Sequence, residues 1–159
     1  MNKKIAMLIA VFVVGILPLV LADTSDHAYT ASVGTASNII ITELDTSFSN
    51  CAVASSCDQI TDSLNIQNTG NTAPSTGISA AFTSDVGGVY GLVDATNVIP
   101  GTNFQINSVA LTANTSTTEV VAVGSLGAGA DLNVSADLSI PGGQASGSYN
   151  GTVQLSWTA

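Results

Sequence analysis

An all-β fold is what this sequence predicts, and three observations predict it. In "ADLNVSADLSI" the apolar Leu132, Val134, Ala136, Leu138 and Ile140 alternate with Asp131, Asn133, Ser135, Asp137 and Ser139. That period of two belongs to a strand with one buried face. Short segments rich in Val, Ile and Thr recur along the chain between clusters of Gly, Pro, Asn and Ser. No amphipathic helical pattern follows residue 22. The combination points to a single antiparallel β-sandwich, immunoglobulin-like or jelly-roll in type, behind an N-terminal signal helix.

The first element is that signal. "MNKK" holds Lys3 and Lys4, the only cationic side chains among 159 residues (Lys+Arg 2). No charge follows from Ile5 to Ala22, Pro18 lies near the end of the run, and Val20-Leu21-Ala22 fits the small-residue cleavage rule. Residues 1–22 therefore read as a secretory signal peptide, with Ala22 the last residue removed. The alternative is an uncleaved anchor, for which the run is short and lacks basic residues after it. Membrane contact is expected only through this signal, before cleavage. The product is expected to be secreted, in the extracellular space or on the cell surface.

Residues 23–36, "DTSDHAYTASVGTA", form an arm or a first strand. Tyr29, Ala31 and Val33 alternate there with Thr30, Ser32 and Gly34, a pattern that suits a strand of its own sheet or one donated to a neighbouring copy. Residues 37–159 form the domain. Strands are expected in "SNIIITEL", in "SLNIQNTGN" with Leu64 and Ile66 on one face, and in "GISAAF" as its partner across a turn at Asn68–Asn71. "GVYGLV", "NFQIN", "SVALTA" and "TTEVVAVG" supply further short strands. After "PGGQASG" the alternation resumes with Tyr149, Gly151, Val153, Leu155 and Trp157. A Gly-rich link between two such strands predicts an antiparallel hairpin, with Trp157 as a core anchor.

Residues 23–159 contain no Lys or Arg, while all 11 Asp and Glu remain (formal net charge −9). Nucleic-acid binding is excluded on that ground, because no side chain can replace phosphate counterions. Stability must come from apolar burial and backbone hydrogen bonds.

The chemistry-bearing residues are few. Cys51 and Cys57 enclose "AVASS", and an even cysteine count in an exported chain suggests a disulfide. Its rivals are a bond between subunits and a free thiol pair. His27 is the only imidazole, and nothing resembles a nucleophile elbow. No catalytic residue is assigned, and the chain is not expected to be an enzyme. Glu43 with Asp45, and Asp58 with Asp62, are weak candidates for structural calcium. Neither pair follows an EF-hand pattern, and solvated charge is the simpler reading. No cofactor is otherwise implied. Asn-x-Ser/Thr sequons occur at Asn114, Asn133 and Asn150. Their number is what the Ser, Thr and Asn content gives by chance, but Asn133 and Asn150 fall on the polar face of the expected hairpin, which would suit N-glycosylation.

The stretch "IPGGQASGSYNGTVQLSW" resembles the closing hairpin of secreted β-sandwich domains in surface and fimbrial proteins. Its pattern is Ile-Pro, a Gly-rich turn, then Gly-x-Tyr-x-Gly-Thr-Val and an alternating last strand. Spore-coat-U-like pilus domains are similar, as are archaeal surface proteins of the filament, sheath or matrix type, whose second strand "LNIQNTGN" also resembles. The likeness covers 18 residues closely and the rest in style. The cysteine placement and the lack of cations depart from the bacterial pilus pattern.

The resemblance implies an extracellular structural subunit. Strands such as "NIIIT" and "TTEVVAVG" have high β-propensity, and none can carry an edge-guarding lysine, which favours strand addition between copies into a homopolymer. The alternative is a secreted adhesin or carbohydrate-binding module. The small aromatic set (one Trp, three Tyr, four Phe) suits a lectin face poorly.

Overall fold

A computed structural model describes residues 37–159. The signal peptide 1–22 and the arm 23–36, with Tyr29, Ala31 and Val33, lie outside the described residues. Eleven strands follow in order: β1 (Ile39–Glu43), β2 (Ile60–Asn68), β3 (Ile78–Phe82), β4 (Asp85–Val86), β5 (Val89–Asp94), β6 (Asn97–Pro100), β7 (Phe104–Ile106), β8 (Val109–Ala110), β9 (Thr118–Val121), β10 (Asp131–Leu138) and β11 (Val153–Ser156). There is no α-helix among the described residues. The strand pairs are antiparallel. One five-stranded sheet runs β1-β2-β10-β7-β8, and two three-stranded sheets run β11-β3-β9 and β4-β5-β6.

The alternation read from the sequence is the burial pattern of β10. Val134, Ala136 and Leu138 are buried, while Asp131 and Asn133 face water. Leu64 and Ile66 of β2 are buried on the same side, opposite Val134 and Leu132 respectively. These side chains and those of Ile78, Phe82 and Val121 from the β3 sheet form one apolar cluster, to which Ile99 of β6 also belongs. Phe104 sits edge-on to both Phe82 and Phe48, with ring centroids 5.3 and 5.7 Å away. Each fully buried side chain of this size stabilises by roughly 2–3 kcal/mol through removal from water.

The pairing differs from the sequence expectation in two places. β3 is not the partner of β2, and β11 is not the partner of β10. Each Gly-rich or Asn-rich link instead carries the chain from the five-stranded sheet to the β3 sheet. The 111–117 link does the same, and the 122–130 link returns the chain. Alternation fixes which side chains face inward, and both sheets share that inward side, so the same pattern serves either partner.

Local irregularities have identifiable causes. The β2–β10 register shifts between Val134 and Ala136, which pair with Leu64 and Ile60. Two extra residues of β2 are absorbed there, and Ser63 turns inward to 6% exposure. Its hydroxyl donates to the Asp45 carbonyl at 2.8 Å, and its own carbonyl accepts from the Leu44 amide at 2.9 Å. β1 ends there. Asn107 (φ 52°) and Ser108 (φ 63°) both take the left-handed conformation and close the two-residue turn between β7 and β8, as a type I′ hairpin requires.

Candidate functional site

Two of the strands that end their sheets, β1 and β11, lie on the same side of the core. Among the described residues, β1 pairs only with β2, and β11 only with β3. On β1, the Asn38 carbonyl accepts from the Thr69 amide at 2.9 Å and the Leu44 amide donates to Ser63. The even-numbered residues therefore direct their backbone groups at β2. By alternation, Ile39, Ile41 and Glu43 direct theirs to the open edge. On β11, the carbonyls of Thr152 and Thr158 accept from the Thr83 and Ser75 amides, both at 2.9 Å. Val153, Leu155 and Trp157 are thus the residues whose amides and carbonyls face outward in the sheet plane. The outward groups of β11 are flanked by neither charge nor proline, the devices that usually blunt an exposed edge.

Between these edges lies a groove of about 740 Å³. Glu43 lines it from β1, and Val153 and Leu155 line it from β11. Its floor is the apolar cluster, reached at Leu64, Phe104 and Leu138. The 45–49 segment, led away from β1 by the Ser63 contacts, brings Phe48 to the wall. Val153, Leu155 and Phe48 are only half-buried. Among the described residues, no further strand pairs with either sheet along this side. Among the described residues, Glu43 is the one charged side chain on the lining.

The other residues singled out in the sequence fall elsewhere. Cys51 and Cys57 are joined in a disulfide with Cα atoms 4.3 Å apart, and no free cysteine remains among the described residues. The Cys57 amide donates to the Leu138 carbonyl at 2.8 Å, which ties the small ring to the end of β10. No group of three metal-ligating side chains occurs among the described residues. Asp45 accepts instead from the Ser47 amide, and Asp58 from the Asn50 side chain. His27 lies outside the described residues.

Trp157 is not a core anchor. It lies one residue beyond β11 and is 39% exposed. Its parity matches the inward Val153 and Leu155, and Thr158 beyond it still bonds to Ser75, yet the ring stays partly in water at this end of the sheet. Of the sequons, Asn114 is exposed on the β8–β9 link, Asn133 lies inside β10, and Asn150 precedes β11 on the groove lining. Asn133 and Asn150 do not share a hairpin.

Sequence reasoning missed Asn68. Expected as a turn residue, it is 1% exposed and fully bonded. Its amide donates to the carbonyls of Thr72 and Leu126, both at 2.7 Å, and its Oδ1 accepts from the Gly70 amide at 2.9 Å. The polar character of "QNTGN" gave no signal of burial. Comparison with protein-family models, with curated proteins and with solved structures finds no match to this chain.

Proposed function

We propose that this chain is a structural subunit of an extracellular filament, sheath or surface matrix, and that copies assemble by β-strand addition. The reading takes the β1 and β3 sheets as the two layers of an immunoglobulin-like or jelly-roll sandwich, left open on one side. The observation that carries it is the groove: two strand edges, unpaired among the described residues, flank a channel of mixed polar and apolar lining that reaches the core. An inserted strand would gain backbone hydrogen bonds from one edge and bury alternate side chains against the floor. The Tyr29–Val33 segment has the alternation such an insert needs, and a second copy of the chain is its source. The protein is secreted, acts without catalysis and binds no nucleic acid in this reading.

The experiment is deletion of Asp23–Gly34, followed by electron microscopy and sedimentation. Donation between copies predicts a folded or nearly folded monomer that no longer polymerises, and that binds a synthetic peptide of the deleted stretch. A destabilised domain would make the segment an ordinary strand of its own sheet. Normal polymers from the truncated chain would dismiss the segment as donor and leave the two edges themselves as the contact.

A further inference from the structure

We propose that Asn114 is the N-glycosylated residue of this protein and that, once the chain has folded, Asn133 and Asn150 are not acceptors. The fold treats the three sequons differently, whether or not copies assemble through the groove.

An enzyme that glycosylates asparagine must reach the side-chain nitrogen and the hydroxyl two residues on, and must draw the intervening backbone into its own site. Extended backbone pinned on both sides cannot comply. Asn133 sits within β10 opposite Asn65 of β2. Its Oδ1 accepts from the Asn65 side chain at 2.8 Å, and that same Asn65 amide also binds Asp131 at 2.7 Å. Reaching this sequon means opening an internal strand of the five-stranded sheet.

Asn150 is exposed, but its backbone is fixed. Its amide and carbonyl both bond to Val93, at 2.9 and 2.7 Å. Two residues on, the Thr152 amide donates to the Ser84 hydroxyl at 3.2 Å, and the Thr152 carbonyl accepts from the Thr83 amide at 2.9 Å. The sequon is thus held extended from end to end, and it also lines the groove.

Asn114 differs in that no strand pairing or bridge among the described residues holds its sequon. Asn114, Thr115 and Ser116 are all exposed and belong to no strand. The Ser116 amide donates to Asn114 Oδ1 at 2.8 Å, which folds the sequon into an Asx turn. The turn stands on a fixed base: the Thr112 hydroxyl donates to the Ser116 carbonyl at 2.8 Å, and the Tyr90 amide to the Ala113 carbonyl at 3.2 Å. Among the described residues, neither the Asn114 side-chain nitrogen nor the Ser116 hydroxyl donates to an acceptor.

Its place in the fold agrees. The link joins β8 to β9, and these strands end their sheets at the sides opposite β1 and β11. A glycan there leaves the groove free, whereas one at Asn150 would stand on its rim.

The co-reactant is a glycan on a polyprenyl diphosphate. Asn114 Nδ2 bonds to C1 of the first sugar, the C1–O bond to phosphate breaks, the polyprenyl diphosphate leaves with the electron pair, and one amide proton passes to the enzyme's base.

The test uses the full chain purified without glycan, a lipid-linked oligosaccharide, and an oligosaccharyltransferase chosen because it modifies a synthetic Leu111–Glu119 peptide. Peptide mapping by mass spectrometry should find the folded protein modified at Asn114. Asn133 and Asn150 should show at least tenfold lower occupancy, rising to comparable occupancy once the chain is reduced and unfolded. Ser116→Ala, which keeps the backbone turn and removes the hydroxyl, should abolish modification at Asn114 without changing the melting temperature. Equal labelling of Asn133 or Asn150 in the folded protein would overturn the assignment. So would a folded protein unlabelled at Asn114.

Discussion

The side-chain amide of Asn68 donates to the carbonyl of Leu126 at 2.7 Å, across 58 residues of sequence, in a position only 1% exposed. The same side chain holds Thr72 and Gly70, so one residue ties the end of β2 to two links that change sheets. Asn68→Ala should leave the Leu126 and Thr72 carbonyls and the Gly70 amide without their partner. A loss of roughly 3 kcal/mol is expected, measured by urea unfolding. A loss under about 1 kcal/mol would mean that water replaces the amide.

The disulfide closes a small ring, so its removal should matter little. Cys51→Ser combined with Cys57→Ser should cost about 2 kcal/mol and keep the fold. Non-reducing gels of the parent protein should show monomer. A covalent ladder that collapses on reduction would place the bond between copies instead.

Phe82, buried at 2% exposure, and Trp157, at 39%, should respond in opposite ways. Phe82→Ala is expected to cost about 3–5 kcal/mol. Trp157→Ala should cost less than about 1.5 kcal/mol, because much of the ring already meets water. Loss of polymer with retained stability in the Trp157 variant would mark the exposed ring as part of the assembly contact. Equal destabilisation by the two changes would show that the ring is covered in solution.

Ser108 holds a left-handed backbone (φ 63°) in the β7–β8 turn. Ser108→Gly, which turns the pair into Asn-Gly, should stabilise by about 0.5–1 kcal/mol in thermal or urea unfolding. Ser108→Val should destabilise by at least as much, because a β-branched side chain opposes this conformation. An unchanged midpoint in both variants would argue against the type I′ turn.

The sequence by itself determined the all-β class, the inward faces of β2 and β10, and the cysteine pair. Alternation is a local property: Val134, Ala136 and Leu138 declare their burial without reference to any partner. The positions of β1, β3, β5 and β7 to β11 were legible in the same way. β4 and β6 were not, since Gly87-Gly88 after one and Pro100-Gly101 at the end of the other read as turns. Only the tertiary structure decided which strands pair. Two sheets that share one core present the same inward pattern, so the links after β2 and β10 read as hairpin turns although they cross between sheets. That choice also decided the candidate site. "NIIIT" and "TVQLSW" each read as ordinary strands, and their edges become a groove only because β1 and β11 end different sheets on the same side of the core. Asn68 and Trp157 show the limit from both directions. A polar side chain is buried where the fold supplies all its hydrogen-bond partners, and an aromatic one at an inward-parity position is exposed at the end of the sheet.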